Sequence, residues 1–172
     1  MNGAEKKRIL EILRLAMITE SDGHSFYTMA AMAMKDEKGQ EYFKELANEE
    51  NRHFDWLKLQ RSHIVEHDEL DQTLVTVAPD DLVAARKIFS PELRKRIATA
   101  RFEMSALSIG MTLELNSIKY YEALAEKEPI PEAKEFYLNL AAWEKQHYDS
   151  LFREYDDLKA DYWAKAGFAP IC

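Results

Sequence analysis

Displaced by 94 residues, the chain lies over itself without a gap: residues 13–57, LRLAMITESDGHSFYTMAAMAMKDEKGQEYFKELANEENRHFDWL, fall on residues 107–151, LSIGMTLELNSIKYYEALAEKEPIPEAKEFYLNLAAWEKQHYDSL. Of the 45 paired positions 12 are identical. Leu13/Leu107, Met17/Met111, Ala31/Ala125, Leu46/Leu140, Ala47/Ala141 and Leu57/Leu151 are ordinary apolar filler. Glu20/Glu114, Tyr27/Tyr121, Glu50/Glu144 and His53/His147 are not. A unit used twice in this way must be one supersecondary element, and its apolar face must be buried against its own copy.

Spacing identifies the unit as a pair of helices. Leu13, Met17, Glu20, His24, Tyr27, Ala31 and Met34 are separated by alternating steps of four and three, the seam of a bundle helix. Phe43, Leu46, Glu50, His53 and Leu57 continue that seam in a second helix, and Tyr137, Leu140, Glu144, His147 and Leu151 repeat it in a fourth. With only 5 Gly and 5 Pro in 172 residues, little interrupts these runs. The four helical segments are expected near 4–35, 40–66, 99–127 and 131–166. KDEKGQ and EPIPE are the two short turns. Residues 68–90 mix β-branched residues, a proline and paired acids, and read as a crossover with a short helix after Pro79. Ser90 before Pro91 marks a further helix start. The fold class is therefore all-α, a four-helix bundle with one long connection between two repeated hairpins. One domain spans 1–172, with hairpins at about 4–66 and 99–166 and the crossover at about 67–98.

A core seam that carries acids and imidazoles needs a reason. Residues i and i+3 project from nearly one side of a helix, so Glu50 with His53, and Glu144 with His147, face inward together. Glu-x-x-His occurs nowhere else in the chain. Antiparallel pairing brings Glu20 opposite Glu50 and Glu114 opposite Glu144, and an approximate two-fold places four carboxylates and two imidazoles around one point. Dry and empty, such a cluster costs several kcal/mol per unpaired carboxylate or takes up protons. Two divalent cations balance the four negative charges, and half of the formal net charge of −8 is then compensated inside the bundle. Oxygen-rich ligation with two imidazoles suits iron or manganese better than zinc or copper(I). A Glu from each of two helices and Glu-x-x-His from each of the others is the ligand pattern of ferritin-like di-iron and di-manganese proteins.

On ESDGHSFYTMA, YFKELANEENRHFDWL, ELNSIKYYEALA and FYLNLAAWEKQHYDSL the chain resembles the rubrerythrin branch of the ferritin-like superfamily, over 13–57 and 107–151 and not over the crossover. The resemblance implies a ferritin-like bundle holding two iron ions (manganese or a mixed pair as variants). In it Glu50 and Glu144 bridge the metals, Glu20 and Glu114 are terminal carboxylates, and His53 and His147 are terminal nitrogen ligands. Tyr27 and Tyr121 are implied to hydrogen-bond to ligand carboxylates. There are two departures from the family. Met111 stands where typical rubrerythrins carry an extra glutamate, which brings the site nearer the bacterioferritin pattern. No rubredoxin domain is expected either, since Cys172 is the one cysteine and no Cys-x-x-Cys exists.

The implied activity is oxidation of Fe(II), or reduction of hydrogen peroxide or dioxygen, in oxidative-stress defence or iron handling, with electrons from an external donor protein. An oxygenase or hydroxylase of an organic substrate and a non-enzymatic iron store are the alternatives. With a net charge of −8 and no basic block, nucleic acid and anionic membranes are poor partners. The absence of a long apolar run or a signal-peptide pattern points to a cytoplasmic protein. The segment YDDLKADYWAKAGF beyond the last seam suggests a homodimer or higher homo-oligomer. His24, one turn after Glu20 where the other half has Ile118, reads as a hydrogen-bonded core histidine, with an extra ligand or proton donor as the alternative. His63 and His67 read as surface or crossover residues, and Trp56, Trp143 and Trp163 as packing or interface aromatics.

Overall fold

Helix starts are set by short polar side chains that satisfy the otherwise unpaired N–H groups of a first turn. In the computed structural model, which describes residues 1–76, 88–95 and 100–166, the first helix, α1 (Gly3–Ala33), begins on Asn2. The Asn2 amide oxygen accepts from the backbone N–H of Ala4 and Glu5 at 3.0 Å, and the Glu5 carboxylate accepts from Asn2 N at 2.6 Å, a reciprocal capping box. α2 (Glu37–His67) begins on Asp36, whose carboxylate accepts from Gly39 N at 3.0 Å. It ends at Asp68 in the left-handed region, φ 61°. α5 (Arg101–Lys127) and α6 (Pro131–Ala166) form the second hairpin, with Pro131 at the first helical position.

Among its described residues, the long connection holds two short helices, α3 (Gln72–Thr76) and α4 (Pro91–Lys95). The Ser90–Pro91 start is observed, with Ser90 Oγ accepting from Leu93 N at 3.2 Å. α3 was not expected, and it forms because the Asp71 carboxylate accepts from Thr73 N at 2.9 Å. α2 starts three residues before the expected position because Asp36, rather than Gly39, punctuates the turn. The helix expected after Pro79 lies outside the described residues. Asp36 also accepts from the Ser90 hydroxyl, and Arg94 pairs with Glu154 and with Asp161, the latter at 3.1 Å. These contacts pin the end of the connection to the first turn and to α6.

The architecture is the expected all-α bundle of two hairpins. α1 packs along α2 and α5 along α6, whereas α1 and α5 approach each other at few points. Every seam residue of α2 and α6 named above is buried. Among the described residues the apolar core is divided in two. One cluster holds Tyr27, Phe43, Leu46, Phe89, Leu107 and Leu151, and the other Leu13, Trp56, Leu57, Tyr121, Phe136 and Leu140. Along every long helix, the seam acids and histidines Glu20, Glu50, His53, Glu114, Glu144 and His147 fall between residues of the first cluster and residues of the second. The polar layer is thus flanked above and below by hydrocarbon, where burying its charges is costly.

Candidate metal centre

Each long helix delivers its seam side chains to the middle of the bundle: Glu20 from α1, Glu50 and His53 from α2, Glu114 from α5, Glu144 and His147 from α6. None of the six is more than 3% exposed. Their ligand atoms form two groups, Glu50, Glu114, Glu144 and His147 in one, Glu20, His53 and Glu144 in the other, with the atoms of each group within 4.8 Å of one another. Glu144 belongs to both. Glu50 faces both imidazoles, with Oε1 at 3.3 Å from His147 Nδ1 and Oε2 at 3.9 Å from His53 Nδ1. Glu20 Oε2 lies 3.4 Å from His53 Nδ1 and Glu114 Oε1 lies 3.7 Å from His147 Nδ1. All six residues singled out by the repeat therefore come together.

The two tyrosines cross between hairpins. Tyr27 of α1 donates its hydroxyl to Glu114 Oε1 of α5, and Tyr121 of α5 donates to Glu20 Oε1 of α1 at 3.4 Å. Burial pushes both phenols well above their ordinary value, with the neighbouring carboxylates adding to the effect, so both stay protonated donors.

Glu49 was not legible as part of this cluster, yet it is 1% exposed and its Oε2 accepts from His147 Nε2 at 3.0 Å. Its repeat partner is Trp143, so comparing the halves discards it. The one signal in the sequence is its i+3 spacing from Leu46. A carboxylate on Nε2–H selects the tautomer whose Nδ1 lone pair points at Glu50 and Glu114. Across the pseudo-symmetry the counterpart of that carboxylate is an indole: Trp143 stacks on the His53 ring, centroids 4.8 Å apart at 22°. The two imidazoles thus have unlike support. Glu49→Ala should lower metal affinity by about ten- to a hundred-fold, as loss of a carboxylate behind a ligating histidine does elsewhere, with Glu49→Gln milder. Competition against a chelator measures it, and an unchanged affinity would remove Glu49 from the centre.

Electrostatically the cluster is frustrated. Burial, followed by mutual repulsion, holds Glu50 and Glu144 well above the usual carboxylate range, and burial raises Glu20. Glu114 is also buried, but the nearby His147 imidazole and the Tyr27 hydroxyl bring it below its ordinary value. His147, which burial alone would lower, is raised well above 6.5 by Glu114, Glu49 and Glu50. His147 Nδ1 and Glu20 Oε2 are buried without a hydrogen bond. A lone pair facing carboxylate oxygens is repulsive unless a proton or a cation lies between them. Oxygen-rich donors at these separations, with orphaned inward atoms on both sides, fit divalent cations.

The remaining candidates are placed apart. His24 Nδ1 bonds to Ala47 O at 2.8 Å, as a core histidine does. His63 lies 3.8 Å from Asp71 and its ring packs on that of the exposed His67. Trp56 stacks on Phe136, centroids 4.7 Å apart. Met111 packs, partly buried, against the apolar cluster around Tyr27. Trp163 is 38% exposed near the end of α6. No described helix is long and apolar enough to cross a membrane.

Comparison with curated proteins and with solved structures returned no match. The family model described as Rubrerythrin matches residues 11–155, a span that contains all six converging side chains and both tyrosines. The chain belongs to the rubrerythrin family.

Proposed function

We propose that the chain is a di-iron carboxylate oxidoreductase. In this reading Glu20, Glu50, His53, Glu114, Glu144 and His147 hold two iron ions, and the protein oxidises Fe(II) by reducing hydrogen peroxide or dioxygen. The observation that carries the reading is the pair of ligand groups joined by Glu144, with one Glu50 oxygen towards each imidazole. When bound, two adjacent iron ions supply the two electrons that cleave the O–O bond of peroxide, which with two protons leaves as two waters. Glu50 and Glu144 orient the pair. Tyr27 and Tyr121 fix Glu114 and Glu20 and keep a proton at each hydroxyl beside the reacting space. The apolar clusters on either side exclude bulk water. No Cys-x-x-Cys lies in these 172 residues, so the electrons that restore the reduced state come from a donor outside them.

Size argues against an organic substrate. The cavity that reaches the cluster has a volume of about 160 Å³, well below the roughly 300–1,000 Å³ of pockets that enclose drug-sized ligands. It suits peroxide or dioxygen.

The test is anaerobic loading with Fe(II) followed by metal analysis and stopped-flow oxidation. The expected result is about two irons per chain, the complement of a paired site, oxidised by peroxide or dioxygen. Protein that takes up no iron would overturn the assignment. Particle size read alongside separates this activity from storage, which requires a hollow shell.

A further inference from the structure

The cavity that meets the cluster opens between α1 and α5. Its lining includes Thr19, Asp22 and Gly23 of α1, and Leu113, Asn116 and Ser117 of α5, above a floor that includes Glu50 and Glu144. Thr19, Asp22, Leu113 and Asn116 are exposed, whereas Ser117 and the floor are buried. The space therefore runs from the surface to the ligand carboxylates. These residues also pair off at the displacement of the repeat: Thr19 with Leu113, Asp22 with Asn116, Gly23 with Ser117, Glu50 with Glu144. Tyr27 and Glu114 line the cavity as well, without their repeat mates Tyr121 and Glu20. It therefore lies near the approximate two-fold axis of the bundle but meets the group of Glu50, Glu114, Glu144 and His147 more fully than the other.

Building on the di-iron reading, we infer that this cleft is the port of the centre, through which divalent cations and small oxidants reach Glu50 and Glu144. Three further observations agree. α1 and α5 belong to different hairpins and meet at few points, and the cavity lies between them. Gly23 removes a side chain where one would obstruct: a Cβ at this position would lie 3.2 Å from Glu50 Cδ and 3.3 Å from its Oε2. The rim offers the Asp22 carboxylate, the Asn116 amide and the Thr19 hydroxyl, with the three acids Glu50, Glu114 and Glu144 beneath, and a cleft lined by acidic groups draws in cations. Loading then proceeds through the folded bundle and does not wait for it to open.

Cobalt(II) uptake by metal-free protein, followed by its visible absorption in a stopped-flow instrument, tests the port without any turnover. Thr19→Trp combined with Asn116→Trp narrows the exposed rim and leaves the interior unchanged. It should slow uptake by about tenfold or more, within the range over which access constraints move association rates, with the final cobalt stoichiometry equal to wild type. Leu113→Ala widens the rim and should speed uptake, and Lys58→Trp, exposed on α2 and outside the lining, should leave it unchanged. Full stoichiometry reached at the wild-type rate in the rim variants would overturn the port while leaving the centre standing. Failure of the wild type to bind cobalt at all would overturn the paired site, and the port with it.

Discussion

Glu50→Gln combined with Glu144→Gln should remove metal binding and, in the same protein, raise the thermal midpoint of the metal-free form. The amide keeps the volume of the side chain, so the core is not hollowed. What disappears is a pair of carboxyls that burial and mutual repulsion hold well above their usual range. Replacing buried ionic groups by neutral ones of similar size is commonly neutral or stabilising by roughly 1–4 kcal/mol. In a domain of this length each kcal/mol moves the midpoint by about 2–4 °C. Metal analysis and a thermal melt near neutral pH read both halves. A metal-free double variant that melts below wild type would mean that these carboxyls are already satisfied by partners inside the fold, and the case for a cation between them would fail.

The second large effect is in pH, and its sign reverses with metal. Glu20, Glu50 and Glu144 have folded values above their unfolded ones, and so does His147. Each such group binds more protons folded than unfolded, so its contribution is present at low pH and lost as pH rises through its folded value. Glu114 is shifted the other way, but its contribution is lost only as pH falls below the ordinary carboxylate range. Between about pH 5 and pH 8 the metal-free protein should therefore lose stability steadily, with the midpoint falling as pH rises. With divalent metal in excess the slope should invert, because cations compete with protons for the same oxygens and nitrogens and bind more tightly as those leave. Melts across that range, with and without metal, check both. Parallel curves would show that protons and metal do not share the site.

The duplicated seam was readable because an acid or imidazole in an apolar stripe is costly, and two copies of the same costly choice are not accidental. From Glu20, Glu50, His53 and their partners 94 residues on, both the bundle and its polar layer could be placed. α3 and the early start of α2 escaped that reading, since each depends on one carboxylate, Asp71 or Asp36, accepting from a backbone N–H two or three residues away. No periodicity records such a bond. Glu49 escaped for the opposite reason. Its partner His147 is 98 residues distant, and the repeat that exposed the other acids hides it by pairing it with Trp143. Where the two halves have diverged, the sequence shows that a difference exists, and only the packing shows what it does.

The division of ligands between hairpins has a mechanical corollary. Glu50 comes from the first hairpin and Glu114, Glu144 and His147 from the second, while Glu20 and His53 come from the first and Glu144 from the second. A cation in either group would thus rivet two halves of the chain that otherwise cohere through side-chain packing and a few crossing hydrogen bonds, such as those of Tyr27, Tyr121 and Glu49. Pulling α1 and α2 away from α5 and α6 would then tear metal–ligand bonds as well as hydrocarbon contacts. The lifetime of the loaded fold would be governed by how rarely both rivets are out at once.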